Sequence, residues 1–247
     1  MNTLVYKSRE EHILIESLSK SQLISKQQLL EIKKLYSEDV PYHNFLHALK
    51  VAEWVLKLPR DQYNIIEIQS LFISALFHDA GHTGTAGDLD EFRSLDMAFQ
   101  GIINFEKKFD YAWIDYSIVR KSIIGTVFKN RATNKDPYAI LLADIDVSTV
   151  GMNFPEFLYY CDFPISVEFN KEIRDWLKDL SYFKFLMWVN KNVFRTDKVR
   201  TLFPAYLKNA RLYMTLEENK LDDIYKYWKN NDITYKEFEI YYKKIGL

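Results

Sequence analysis

The stretches YHNFLHA (Tyr42–Ala48) and FHDAGHTG (Phe77–Gly84) decide how this 247-residue chain is interpreted, because they contain four of its five histidines. Residues four apart share one face of a helix, so His43 and His47 are expected to present their imidazoles together. The adjacent His-Asp pair of the second stretch offers a nitrogen and a carboxylate. Such ligands suit zinc, iron, manganese or nickel, and a set that leaves positions open for water is typical of a catalytic metal site.

The composition around these stretches favours helices. With 48% hydrophobic residues, the chain can bury a large core, and only 7 glycines and 6 prolines interrupt it. Apolar residues from Ile65 to Leu76 surround a helix on nearly all sides, which is expected of a central helix, and this helix ends at the His-Asp pair. We therefore predict one all-α domain covering residues 1–247. Further helices are predicted at about Asp90–Lys107, Trp113–Val127, Pro137–Val147, Ser166–Phe194, Pro204–Leu216, Leu221–Lys229 and Thr234–Ile245.

The charge balance and the cysteine content restrict the expected binding partners and the cellular compartment. The 33 basic and 34 acidic residues balance, which provides no electrostatic reason to expect nucleic acid or an anionic membrane as a partner. A single cysteine fits a reducing compartment. No run approaches the roughly 18 apolar residues of a membrane span, and charges throughout the first twenty residues argue against a signal peptide. A cytoplasmic protein is expected, and its oligomeric state stays open.

A further metal ligand is expected from the segment LLADID (Leu141–Asp146), an otherwise apolar helix that carries two carboxylates. Residues two apart on a helix point to roughly opposite faces, so only one of Asp144 and Asp146 can enter the site. Asp79, beside His78, is able to bridge to a second cation, with a hydroxide between the two metals as nucleophile.

These three blocks resemble the HD-domain metal-dependent phosphohydrolases. More narrowly, they are similar to the catalytic domain of the class I cyclic-nucleotide phosphodiesterases, whose pattern is HNxxHA, then HDxxHxG, then an Ala-Asp pair. The resemblance covers roughly residues 40–150. It implies a compact helical bundle of the phosphodiesterase type, with a metal-binding core at about 40–150 and C-terminal helices at 155–247 that complete the substrate cleft.

The resemblance also implies a role for each residue that matches the pattern. The first cation, zinc or iron, would be held by His47, His78, Asp79 and Asp144, the last preferred over Asp146 because Ala143 precedes it. Asp79 would bridge to a second cation, magnesium or manganese. His43 would be the general acid that protonates the leaving oxygen, His82 would hydrogen-bond the hydroxide or a bound water, and Glu91 would orient His43.

The substrate-binding residues are predicted from weaker signals. Tyr42 adjoins His43 and is expected to line the cleft. Arg195 belongs to a cluster of basic residues, and its planar guanidinium suits a phosphate. The family binds the purine base through a glutamine. Asn170 is the amide residue of this chain that comes nearest to that glutamine.

The chain departs from the family pattern in three places. Thr126 is followed by Val127, where the family carries Asp after Thr, and the segment between Asp79 and the third block is short. No glutamine follows Gln100. The metal chemistry is therefore expected to carry over, whereas discrimination between purine and pyrimidine substrates is expected to be weak.

Three hypotheses of function follow from these observations. The leading one is a metal-dependent phosphodiesterase that acts on a cyclic nucleotide or a related small nucleotide. The missing glutamine and the shortened middle favour, as an alternative, a nucleotide phosphomonoesterase with the same metal centre. A non-catalytic nucleotide-sensing module is the third, and it is disfavoured because every expected ligand is present.

Overall fold

The computed structural model describes residues 7–84, 90–109, 114–178, 184, 186 and 192–246. Throughout these ranges the regular elements are helices and none is a strand, which confirms the predicted all-α class. The chain divides into two compact units, Glu11–Asp146 and Met1–Glu10 with Val147–Leu247. The single domain expected from the sequence stays a prediction.

The α-helices are α1 (Ser8–Ser19), α2 (Lys26–Lys33), α3 (Phe45–Val55), α4 (Ile65–Phe77), α5 (Asp90–Phe109), α6 (Tyr116–Gly125), α7 (Phe128–Arg131), α8 (Pro137–Asp146), α9 (Phe154–Phe157), α10 (Phe163–Glu168), α11 (Ile173–Lys178), α12 (Asp197–Leu202), α13 (Tyr206–Thr215), α14 (Glu218–Asn230) and α15 (Tyr235–Lys244).

Helix α4 is the central element of the unit 11–146. It contacts α3, α5, α6 and α8, and ten consecutive residues from Ile68 to Phe77 are buried. This burial confirms the expectation drawn from its all-round apolar sequence. Because α4 ends at Phe77, the next residues, His78 and Asp79, emerge at the end of the most buried helix of this unit.

Local capping chemistry determines where several helices begin. Ser25 caps α2, and Gln28 returns a hydrogen bond to the backbone of Ser25. Asn64 and Glu67 form the same reciprocal box at the start of α4. Each box satisfies N–H groups that the first helical turn leaves without a partner, which is worth about 1 kcal/mol.

The unit formed by residues 1–10 and 147–247 contains shorter helices. A 3₁₀ turn at Ser148–Gly151 and a π-helical turn at Leu158–Asp162 flank α9. Gly151 allows the backbone of Phe203 to approach closely, since a Cβ there would lie 2.2 Å from the Phe203 carbonyl oxygen. Tyr160 donates to the Glu10 carboxylate, which also accepts from the Tyr235 backbone N–H at 2.9 Å.

The long helix predicted at about Ser166–Phe194 is wrong in its first part, because α10 ends at Glu168. Asn170 adopts the left-handed region with φ of 51°, and the Lys171 N–H donates to the Ser166 carbonyl at 2.8 Å. This is a helix C-terminal cap, a position at which asparagine tolerates the left-handed backbone. Residues 179–183, 185 and 187–191, on which the rest of that prediction depends, lie outside the described residues.

Within the described ranges, no helix combines the length and the apolar character that crossing a lipid bilayer requires.

Candidate metal centre and active site

The first histidine block lies at the start of α3. Asn44 is the N-cap, and its side-chain oxygen accepts the backbone N–H of His47 at 3.1 Å. His47 is thus held in the first turn of the helix, while His43 precedes the cap. The expectation that both imidazoles share one helix face is therefore wrong, because the helix begins only at Phe45 and His43 lies before it. The two rings are nevertheless close, with centroids 6.4 Å apart.

The second histidine block is a turn that follows α4. The His82 backbone N–H donates to the Asp79 carbonyl at 3.0 Å, and Gly81 adopts a positive φ of 76°. The Gly81 N–H donates to the Leu35 carbonyl, and its carbonyl accepts from Arg93, both at 3.0 Å. A glycine is required here, because a Cβ would also lie 2.8 Å from the Met97 side chain.

Four side chains from these blocks and from α8 converge on one point. The Asp146 Oδ1 atom lies 3.0 Å from His47 Nε2 and 3.3 Å from His78 Nε2. The Asp79 Oδ2 atom lies 3.1 Å from His78 Nε2 and 3.6 Å from His47 Nε2. All four residues are buried, at 1–8% exposure. With bonds of about 2.0–2.2 Å, tetrahedral ligand atoms lie roughly 3.3–3.6 Å apart, so this spacing suits one cation.

The hydrogen bonds of His78 and Asp79 support a cation at this point. His78 Nδ1 donates to the Ala75 carbonyl at 2.8 Å, which leaves the lone pair of Nε2 directed at the two carboxylates in the neutral form. Asp79 Oδ2 is buried, and its contact with His78 lacks hydrogen-bond geometry. Acceptor atoms that face one another in a buried space repel unless a positive charge lies between them.

The pKa shifts within the cluster also favour a positive charge at this point. Burial alone would lower the pKa of His78, but Asp79 and Asp146 outweigh it and raise that pKa well above its ordinary value. Burial would raise the pKa of Asp79, yet His78, His43 and His47 hold it below the usual range. The pair of carboxylates thus stays ionised and attracts positive charge.

Asp144 does not belong to this cluster. It is buried at 1% exposure, but the carboxylate that joins the two histidines and Asp79 is that of Asp146, at the last residue of α8. The helix-face argument predicted that only one of the two would enter. The preference for Asp144 rested on the resemblance and on the Ala before it. Both carboxylates are buried, and Asp146 is the one that contacts the two histidines.

The remaining predicted residues surround the centre. The His43 and His82 rings stack with centroids 4.0 Å apart. His82 Nδ1 accepts the Gly84 N–H at 3.0 Å, so its proton is carried on Nε2, which lies 3.6 Å from Asp90. Tyr42 is 4% exposed, and its ring packs 4.5 Å from His47 and 4.8 Å from His43. Burial, and to a lesser degree Asp79, raise the pKa of Glu91.

Burial of Tyr42 favours a role in holding the imidazoles, and contact with substrate stays a prediction. The orientation of His43 by Glu91 also stays a prediction. Asn170 and Arg195 lie in the unit formed by residues 1–10 and 147–247. Their role in substrate binding also stays a prediction, and the cap geometry already accounts for the conformation of Asn170.

Sequence reasoning missed Arg131. This residue lies in a polar segment, residues 129–136, yet it is 2% exposed and contacts Asp146. The signal that would have found it is weak, because a single arginine in a polar segment is ordinarily a surface residue.

Comparisons of sequence relate the two histidine blocks to known proteins. Residues 42–90, which carry both histidine blocks, match the family described as 3'5'-cyclic nucleotide phosphodiesterase. The cGMP-specific 3',5'-cyclic phosphodiesterase gamma of Plasmodium yoelii is 46% identical over 61 residues, which are 23% of this chain but only 8% of that protein.

The fold is similar to that of a solved phosphodiesterase. The Leishmania enzyme LmjPDEB1, determined in complex with IBMX, superposes with a TM-score of 0.59 over 85% of this chain and 87% of its own, at 16% identity. At that identity the likeness concerns the fold. The family match concerns residues 42–90, and the structural likeness concerns the helical fold of most of the chain.

Proposed function

We propose that this protein is a metal-dependent phosphodiesterase that hydrolyses the phosphodiester bond of a cyclic nucleotide or a related small nucleotide. The observation that carries the proposal is the convergence of two imidazole nitrogens and two carboxylate oxygens in one buried cluster. The family match over the same blocks supports phosphodiester hydrolysis. Activity of the whole protein is a proposal, because the curated relative is matched over a small part of its length.

The residues that would hold the first cation are His47, His78, Asp79 and Asp146. We expect zinc or iron there, because the set mixes two nitrogens with two oxygens. A second cation, magnesium or manganese, would share Asp79. When bound, such a pair of cations neutralises the phosphate oxygens and lowers the pKa of water towards about 7, which supplies a nucleophile at neutral pH.

The chain's own residues would orient the substrate and move the proton. His43 lies outside the four converging side chains, with its ring centroid 6.4 Å from that of His47. It is therefore the group that we expect to donate a proton to the departing ester oxygen, a role worth about 10²–10⁴ in rate. His82 stacks on His43 and, through the proton on Nε2, acts as a hydrogen-bond donor.

The deciding experiment is a substrate panel with the purified protein and manganese. Cyclic mononucleotides, cyclic dinucleotides and nucleoside monophosphates are compared for product formation. We expect hydrolysis of a cyclic substrate, loss of most turnover in His43→Ala, and no change in His12→Ala, a matched variant at an exposed histidine of α1.

Two outcomes would contradict the proposal. Release of inorganic phosphate from monophosphates, with cyclic substrates untouched, would instead assign a phosphomonoesterase. Tight nucleotide binding by calorimetry without hydrolysis under any divalent metal would assign a sensing module.

A further inference from the structure

Arg131 is a buried cation next to the proposed metal centre. It ends the short helix α7 and is 2% exposed. Its guanidinium donates through Nε to the Thr126 carbonyl at 2.9 Å and through one terminal nitrogen to the Ala143 carbonyl at 3.0 Å. The other terminal nitrogen donates to Asp146 Oδ2. Each nitrogen of the fork therefore has a partner, and the group is fixed in place.

The two oxygens of Asp146 consequently have different partners. Oδ2 accepts from Arg131, whereas Oδ1 faces His47 Nε2 at 3.0 Å and His78 Nε2 at 3.3 Å. A carboxylate that is free to rotate would be able to offer either oxygen, or both. The guanidinium removes that freedom, because turning the carboxylate would break a buried charge-assisted hydrogen bond.

We propose that Arg131 is a positioning residue that makes Asp146 a one-oxygen ligand and thereby sets the affinity and the preference of the centre for its cation. The inference deepens the proposed function, since it concerns the same metal centre. It assigns to Arg131 no contact with the substrate.

Charge supports the same role. Asp79 and Asp146 both contact the same two imidazoles in a buried space, and two carboxylates at such a point repel each other. Arg131 compensates one of the two negative charges from outside the ligand cluster. Asp146 is therefore held between Arg131 on one oxygen and the two histidines on the other.

A purely structural role makes a different prediction. The bonds from Arg131 to Thr126 and Ala143 also tie the end of α6 to α8, so its removal would loosen the fold and weaken every metal alike. Positioning predicts a change in preference. With Oδ2 released, Asp146 is able to bind through two oxygens, which suits manganese with its higher coordination number and oxygen preference more than tetrahedral zinc.

The test uses metal-stripped full-length protein and the variants Arg131→Met and Arg131→Lys. Lys135→Met, at an exposed lysine of the same polar segment, is the matched control. Dissociation constants for zinc and for manganese are measured by competition with a chelator, and the thermal midpoint of each metal-free protein is recorded. Activity is not required for any of these readings, so failure of the proposed function would leave this test intact.

We expect Arg131→Met to weaken zinc binding by about 10–100-fold and manganese binding by less. The zinc affinity of Arg131→Lys should lie between those of the wild type and Arg131→Met, because lysine retains the charge but not the planar fork. Lys135→Met should match the wild type. An unchanged zinc constant in Arg131→Lys would overturn the proposal even if Arg131→Met fails to fold. An equal loss for both metals, together with a lowered metal-free midpoint, would assign a structural role and would overturn it too.

Discussion

The substitution Gly125→Ala tests the helix contact that places Asp146. Gly125 ends α6, and a Cβ at this position would lie 2.6 Å from the Cα, the Cβ and the carbonyl oxygen of Ala139 in α8. Two of these three atoms belong to the backbone, so no side-chain rotation relieves the overlap. Non-bonded carbons require about 3.5–4.0 Å. The two helices must therefore separate by roughly 1 Å, and Asp146 at the end of α8 moves with them.

The expected cost combines two opposing effects. Overpacking of this kind destabilises a protein by about 1–3 kcal/mol, while replacing a helical glycine by alanine regains at most about 1 kcal/mol. Three overlaps at 2.6 Å, two of them with backbone atoms, place the overpacking cost in the upper part of that range, about 2–3 kcal/mol, so the net loss is about 1–2 kcal/mol. For a domain of this size, it corresponds to a decrease in the thermal midpoint of roughly 2–8 °C.

The assay is thermal unfolding followed by circular dichroism, with the zinc dissociation constant measured in parallel. The double variant Gly125→Ala with Ala139→Gly removes the Cβ contact but leaves both backbone overlaps and adds a helical glycine, so it should not recover the wild-type midpoint. Weaker zinc binding should accompany the lower midpoint. A midpoint of Gly125→Ala at or above that of the wild type would show that α6 and α8 do not meet closely at this point, and the reasoning would be refuted.

Three further predictions concern the site. His43→Ala should keep its metal content by elemental analysis while losing most turnover, whereas Asp79→Ala should lose both; two metal equivalents retained in Asp79→Ala would make the ligand assignment wrong. Burial raises the pKa of Glu91 above that of the unfolded chain, so its protonated form favours folding and this contribution disappears as the pH rises through the raised pKa. Glu91→Gln should therefore be more stable than the wild type at pH 7–8 and equal to it near pH 4, as urea unfolding at both pH values would reveal; an identical stability difference at both would contradict this. Finally, kcat/KM for cyclic AMP, GMP, CMP and UMP should differ by no more than about 200-fold, as expected of an apolar slot, and a preference above about 10³ would reveal a base-reading group.

Much of the fold follows from local chemistry that the sequence displays. The Ser25 cap and the all-round apolar run of α4 both depend on neighbours within one or two helical turns, so the sequence alone predicts them. The end of α10 does not follow in this way. Asn170 terminates the helix through a left-handed backbone conformation, which asparagine adopts in some contexts and avoids in others.

Among the ligands of the candidate centre, some were predictable from local sequence and others depend on contacts between distant residues. His47, His78 and Asp79 were predicted from spacing and from the family pattern, and the structure brings them together. The choice between Asp144 and Asp146 is not decided by burial, because both are buried; it depends on which carboxylate meets His47 and His78, and these belong to distant parts of the chain. Arg131 contacts Asp146 across fifteen residues of chain, a relation that no local pattern expresses.

The central claim is that Asp146, with His47, His78 and Asp79, holds the catalytic cation. Elemental analysis of metal bound to purified Asp146→Asn and Asp144→Asn tests it most directly, because the two substitutions are identical in kind and lie two residues apart in one helix. We predict that Asp146→Asn loses the tightly bound metal while Asp144→Asn retains the wild-type content. Loss of metal in Asp144→Asn, with full retention in Asp146→Asn, would contradict the account.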